Sequence, residues 1–244
     1  MKLAIFTTEL KLSGQLSFFL FIYIFHPVEY IFLTVMSIAK KEIQSSVKDK
    51  ELIEIRRKEI VNAAVDLFVR KGFHRTTIRE IAQKFGMSIG TLYEYIRTKE
   101  DILILVCDYI SSTVRMRVVP SVEITEDSTQ SLENAIKIYY RIIDEMQDYI
   151  IFLYQETKSL SHENRKYIFK SEEDMTEIFV NILKHGVENG SFKIEEKIIP
   201  MIAHNIMVLG QMWAFRRWAL QKNYTLERYI EAQTKSITED ISAN

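Results

Sequence analysis

Glycine and proline are nearly missing from this 244-residue chain, at 7 and 3 residues. Both residues punctuate turns, so their scarcity excludes a β-rich fold, which at this length needs many turns. It leaves an all-α chain of long helices. A single cysteine, Cys107, excludes a disulfide framework and fits a reducing, cytoplasmic compartment. It lies within the apolar run Ile102–Ile110 and reads as a small core residue, not a nucleophile. The five histidines (His26, His74, His162, His185 and His204) have no metal-ligand spacing. No glycine-rich phosphate loop or nucleophile elbow occurs. No catalytic residue, metal or cofactor is therefore expected, and the chain does not read as an enzyme. Net charge is only −1, which by itself implies no partner. Its distribution is uneven: residues 36–100 carry 14 Lys/Arg against 9 Asp/Glu, whereas residues 101–244 carry 16 against 22. The basic segment is where a phosphate-binding surface belongs.

The most apolar stretch, LSFFLFIYIFHPVEYIFLTVM at 16–36, is broken by His26, Pro27 and Glu29. A membrane-spanning helix needs roughly 20 predominantly apolar residues, and neither half reaches that. Lys2 and Lys11 precede an apolar core as in a signal peptide, but no small-residue cleavage site follows. Three readings stay open. The preferred one starts the protein at Met36, which makes residues 1–35 an extension outside it and residues 36–50 a polar, basic arm. The others are a membrane-tethered regulator anchored by residues 16–36, and an interfacial or core-packed helix. A membrane partner is not the expectation.

Apolar residues recur from Lys50 to Lys71 with the spacing of one buried helical stripe, and Gly72 stops that helix. Thr77-Ile-Arg-Glu80 has the form of a capping box and opens a second helix that Gly86 closes. Ser88 caps a third helix, Ile89 to Tyr95. Thr98-Lys-Glu-Asp101 opens a fourth that Pro120 stops near Val118. A boundary is placed in the polar loop 120–130. Longer helices are expected beyond it at about 129–158, 163–188, 197–220 and 226–241, with Gly186 and Gly190 ending the second and Pro200 in the first turn of the third.

Two short helices separated by Phe85-Gly86-Met87 have the form of a helix-turn-helix, whose second helix enters the major groove of DNA. That helix is expected to turn Ser88, Ile89, Gly90, Thr91, Tyr93, Glu94 and Tyr95 outward. Thr77 and Ser88 place hydroxyls at helix N-termini, where free amides and the dipole favour an anion. Tyr93, Tyr95 and Lys99 are suited to backbone phosphates, and Ile89 and Thr91 to a thymine methyl. Gly90 allows close approach, and Arg75 and Arg79 supply longer reach. The alternative is ordinary bundle packing, with Tyr93 and Tyr95 at the core edge.

The segment IVNAAVDLFVRKGFHRTTIREIAQKFGMSIGTLYEYIRTKEDIL closely resembles the N-terminal domain of the TetR family. The likeness is carried by Ala63-Ala64, Leu67-Phe68, Gly72, Thr76-Thr77, Ile81-Ala82, Gly86, Ser88, Gly90-Thr91, Tyr93, Tyr95 and Lys99-Glu100. Ile96 and Met87 depart from the usual Phe and Val but stay apolar. The resemblance implies a three-helix DNA-binding domain at 51–98, a connecting helix at 99–119, and a helical ligand-binding and dimerisation domain at 120–244. It implies a homodimer on palindromic double-stranded operator DNA, with repression as the default. It assigns DNA contact to Thr76, Thr77, Arg79, Ser88, Ile89, Gly90, Thr91, Tyr93, Tyr95 and Lys99, with Thr77 and Tyr93 clamping phosphates.

In the second half, Met201, Ile202, Asn205, Val208, Leu209, Met212 and Trp213 form a broad apolar face, either core or partner surface. Its many aromatics are either plain core or the lining of an apolar pocket with a few polar groups. The candidate ligand residues are Tyr140, Arg141, Tyr154, Glu156, Trp213 and Arg216, with Asn205 and Gln211 as further polar candidates. The stretch MWAFRRWALQKNYTLERYIEAQ resembles the TetR subgroup related to fatty-acid-degradation repressors. That likeness implies a small hydrophobic effector such as a long-chain acyl-coenzyme A, with Arg216 and Arg217 at its phosphates. The alternative pairs these arginines with Glu227 or with acidic residues distal to the DNA.

Overall fold

The computed structural model describes Ile43 and residues 45–242. The expectations for residues 1–35, for the apolar segment 16–36 and for most of the arm before Ile43 lie outside the described residues. The described residues belong to one compact unit, residues 40–244. They form ten α-helices and no strand, with one isolated antiparallel bridge between Phe192 and Ser242.

The first four helices follow their local signals. Helix α1 (Lys50–Lys71) is capped by the Asp49 carboxylate and ends at Gly72. Helix α2 (Ile78–Phe85) opens with the complete Thr77–Glu80 capping box and closes at Gly86, whose φ of 80° is left-handed. That conformation costs glycine almost nothing and turns the chain sharply into the next helix. Helix α3 (Ile89–Tyr95) has Ser88 at its N-cap, and α4 (Lys99–Val118) has a second capping box, Thr98–Asp101. Ile60, Ala64, Phe68, Ile81, Ala82, Leu92 and Ile96 pack into one small core beneath the helix pair.

The body differs from expectation in its helix breaks. The span expected at 129–158 is two helices, α5 (Ser128–Glu145) and α6 (Gln147–Glu156), interrupted at Met146 and followed by a 3-10 turn, Thr157–Ser159. Helix α7 (His162–Glu188) runs through Gly186, which does not end it; a Cβ there would lie 2.0 Å from the Phe192 ring, so glycine gives that ring its seat. The span expected at 197–220 breaks at Arg216 into α8 (Ile199–Phe215) and α9 (Arg217–Leu220), and α10 (Leu226–Ile241) follows. Pro200 sits in the first turn of α8, as expected.

Helices α5, α7, α8 and α10 enclose an aromatic core. Tyr139 meets Phe179 at 5.7 Å and Tyr140 at 6.0 Å, and Trp213 meets Tyr229 at 5.0 Å. Gly210 lets α8 approach α5, since a Cβ there would come within 2.7 Å of Tyr139 and 2.8 Å of Tyr140. The segment Glu196–Phe215 is long and apolar enough to cross a membrane by length and composition; in the fold it packs against α5 and α7. Cys107 is fully buried, and burial pushes its thiol up to about 12, which suits an inert core residue.

Candidate DNA interface and effector pocket

Capping fixes the outward face of the helix pair. Glu80 N–H donates to Thr77 Oγ1 at 3.2 Å, and Thr77 N–H donates to Glu80 Oε2 at 2.8 Å. Lys71 joins Glu80 as well, and this bond, with those from Thr77, holds the carboxyl at about 2. Thr91 N–H donates to Ser88 Oγ at 3.0 Å. Thr77, Arg79, Ser88, Gly90 and Glu94 are exposed, Ile89 and Thr91 are half-buried, and Tyr93 is 47% exposed. Thr77 and Arg79 stand at the start of α2, and Ser88 to Glu94 at and along α3.

Two expected contact residues face elsewhere. The Tyr95 side chain is only 6% exposed, packed in the small core, so it supports α3 and does not present its ring to a groove. Thr76 is buried as well, its hydroxyl donating to the carbonyls of Gly72 at 3.0 Å and Leu67 at 3.3 Å, which closes the turn between α1 and α2. Lys99 is half-buried, its Nζ 4.4 Å above the Phe73 ring and 3.3 Å from the His74 carbonyl; burial lowers its pKa.

Sequence reading missed Arg57. Its Nε and Nη2 donate to the Tyr95 carbonyl at 3.2 and 3.1 Å, and Nη2 also reaches the Ile43 carbonyl. Ser45 and Ser46 hydroxyls donate to the Glu94 carbonyl at 2.7 and 3.1 Å. The arm and α1 are thus tied to the C-terminal carbonyls of α3, groups that a helix end leaves unsatisfied. These partners are 14 to 49 residues apart, so no local pattern reveals them.

In the body, an apolar cavity of about 420 Å³ is lined by Ile150, Leu153, Tyr154, Thr157, Lys158, Arg165, Ile168, Phe169, Glu172, Gln211 and Phe215. Tyr154, 72% exposed, meets Phe215 at 4.8 Å. Arg165, Ile168, Phe169 and Glu172 recur at i, i+3, i+4 and i+7 on α7, one helical face; that spacing was the available signal for a lining set. Burial raises the Glu172 pKa, partly offset by its bond from Gln211.

Of the six expected ligand residues, only Tyr154 lines this cavity. Tyr140 is core, its hydroxyl donating to the Ile206 carbonyl at 3.1 Å, and Trp213 is core, its Nε1 donating to Asp144 Oδ1 at 2.6 Å. Arg141 lies in a separate polar groove between α5 and α10. Glu156 accepts from Ser159 at 3.0 Å. Arg216 lies over the Trp218 ring at 4.9 Å, and Arg217 pairs at 2.7 Å with an acidic residue other than Glu227, Asp148. Both arginines lie outside the cavity lining. Helix periodicity identifies an apolar face without saying which face closes on core and which on a cavity.

The pocket wall also carries the seam to the helix pair. Phe68 stacks on Phe152 at 6.0 Å, His74 Nε2 lies 3.2 Å from Ser159 Oγ, and Ser161 N–H donates to Glu100 Oε1 at 2.6 Å. Beside its lining face, α7 turns Asn164, Tyr167 and Ser171 toward Glu100, Asp108 and Arg115 of α4, at 3.4, 2.6 and 3.3 Å.

Residues 60–106 match the family model for bacterial regulatory proteins of the tetR family, and residues 125–216 match a tetracyclin repressor-like C-terminal domain. The chain is 28% identical over 193 residues to the HTH-type transcriptional regulator HbdR of Aromatoleum sp. strain CIB, covering 78% of this chain and 82% of HbdR. It superposes on a tetR-family regulatory protein from Rhodococcus RHA1 with a TM-score of 0.67 at 22% identity, covering 77% of this chain and 97% of that one. It also superposes on AibR in complex with isovaleryl coenzyme A and operator DNA, with a TM-score of 0.60 at 17% identity, covering 73% and 96%.

Proposed function

Since the chain belongs to the TetR family of bacterial transcriptional regulators, we propose that it is a cytoplasmic repressor. It grips a palindromic operator as a homodimer and lets go when an apolar, anion-headed small molecule fills the Tyr154–Phe215 pocket. Residues 51–98 form the DNA head, with Ile43, Ser45 and Ser46 of the preceding arm as its brace, α4 the connector, and residues 120–244 the effector and dimer body. Thr77 and Tyr93 hold phosphates, while Ser88, Ile89, Gly90 and Thr91 meet base edges, with Arg79 and Lys99 near the backbone. The observation that carries this is the exposed, doubly capped surface from Thr77 to Tyr93, whose amide ends and hydroxyls suit sugar–phosphate oxygens.

Dimerisation follows from geometry. Two heads must reach major grooves about 34–36 Å apart. Met201 and Val208, 57% and 51% exposed, stand on the outer face of α8 with Asn205, where a second copy's α8 and α10 complete a four-helix bundle.

The effector reading rests on the pocket's composition: aromatic and aliphatic walls, with Lys158 and Arg165 as cationic groups for an acyl-coenzyme A or a similar anion. The complex of AibR with isovaleryl coenzyme A supports that ligand class. A ligand releases DNA only by favouring a conformation with the wrong head spacing. Helix α7 is suited to transmit it, since one face lines the pocket and the neighbouring face is bonded to α4.

The test is a mobility shift on the region upstream of the gene, across a salt series, with and without octanoyl-coenzyme A. Expected are steeply salt-dependent retention and ligand-induced release. A dimer that holds no duplex at low ionic strength refutes the DNA reading; equal affinity with saturating ligand refutes the effector reading.

A further inference from the structure

We infer that the effector carries a hydrogen-bonding group, such as a hydroxyl, at its buried end, received by Ser111, Glu172 and Gln211. The inference rests on the pocket being the effector site. The main cavity adjoins a narrow annex of about 10 Å³, and Ile150, Leu153, Glu172 and Gln211 line both. That volume admits one water-sized group and no more.

The polar atoms around the annex are under-satisfied. The Ser111 side chain is 5% exposed, and its hydroxyl has no partner. Buried polar atoms are otherwise almost always paired, so an orphan at the end of a cavity calls for an occupant. Glu172 Oε2 accepts from Gln211 Nε2 at only 3.4 Å. This contact sits at the weak limit of the bond.

A ligand hydroxyl, donor and acceptor at once, completes this set. A methyl in its place leaves every one of these groups as poorly paired as before. The opposite end of the ligand is anionic, because Lys158 and Arg165 are the cations of the lining. The class is therefore an apolar chain or ring with an acidic head and a hydroxyl or comparable polar group at the far end. Helix α4 supplies Ser111, so this group bonds directly to the helix that begins at the DNA head.

Two matched probes, octanoyl-coenzyme A and 8-hydroxyoctanoyl-coenzyme A, test this by titration calorimetry on the full chain. The hydroxylated probe should bind about tenfold tighter or better, since sites built to pair a hydroxyl discriminate strongly against its loss. In Ser111→Ala the preference should shrink to about threefold or less. Equal binding of both probes to the unmodified chain overturns the inference and leaves the effector pocket standing. A full preference retained in Ser111→Ala overturns the assignment to Ser111. Failure of both probes to bind overturns the pocket reading and this inference together.

Discussion

Gly90→Ala separates what the protein needs from what DNA needs. Gly90 is the second residue of α3, with ordinary helical geometry, and a Cβ built there meets nothing closer than Ser88 Oγ at 3.6 Å. The fold therefore places no demand for glycine at this position. Glycine in a helix costs about 0.5–1 kcal/mol relative to alanine, and a position in the first turn belongs near the low end. Alanine should stabilise the chain by about 0.5 kcal/mol, which raises Tm by about 1–2 °C at this size. Against DNA the sign reverses. If α3 lies in the major groove with its N-terminal face inward, the added methyl stands between helix backbone and base edges. The resulting loss should equal about one base contact, about 1–3 kcal/mol, or roughly 5- to 150-fold in affinity. Thermal melting and an operator titration in one buffer decide it. A raised Tm with undiminished affinity would refute the placement of this face in the groove, and a lowered Tm would refute the claim that the site has room.

Tyr93→Ala should weaken binding to all duplex sequences alike and flatten the salt dependence; an affinity loss confined to the operator would count against a phosphate contact. Arg57→Met keeps the apolar stem but removes the bonds to the Tyr95 and Ile43 carbonyls. Charge-assisted bonds, discounted for partial exposure, suggest a cost of about 1–2 kcal/mol and a matching fall in Tm, and an unchanged melt would show the brace to be idle. Burial raises the native pKa of Glu172 above its unfolded value of about 4.3, so its contribution is complete below that pH and lost as pH rises through the native value. The Tm of Glu172→Gln relative to the unmodified chain should therefore climb between pH 4 and pH 8; parallel curves would refute it. Val208→Glu places a charge on the exposed face of α8 and should yield monomer by sedimentation, with the head still folded; an intact dimer would move the interface elsewhere.

The head was legible because its determinants are local. Thr77–Glu80, Gly86, Ser88 and Thr98–Asp101 each act within four residues, and the structure has the helix ends where those signals stand. The breaks at Met146 and Arg216 carried no such sign, since neither position has a glycine or proline at the break. Tyr95 misled for a related reason. On a seven-residue helix the neighbours Tyr93 and Tyr95 point about 200° apart, so both cannot face the same groove. Tyr95 is the one that the apolar core beneath α3 takes.

The pocket was illegible for a different reason. Its walls come from residues 150–172 and 211–215, and what makes them a pocket is the space left between helices, not any property of one helix. Tyr154 and Trp213 look alike in sequence as aromatics on apolar faces, yet Trp213 closes on Asp144 while Tyr154 stands open beside Phe215. Charge adds a usable criterion. Core faces of this chain bury tyrosine hydroxyls on backbone carbonyls, as Tyr140 and Tyr229 do at 3.1 and 2.7 Å. The lining face of α7 instead carries Arg165 and Glu172 beside Ile168 and Phe169. An ionisable pair one or two turns apart on an otherwise apolar face is expensive to bury without a partner, so such a face implies solvent or a ligand. On that reasoning the 165–172 pattern, more than the count of aromatics, is the part of this sequence that marks the face open to the cavity.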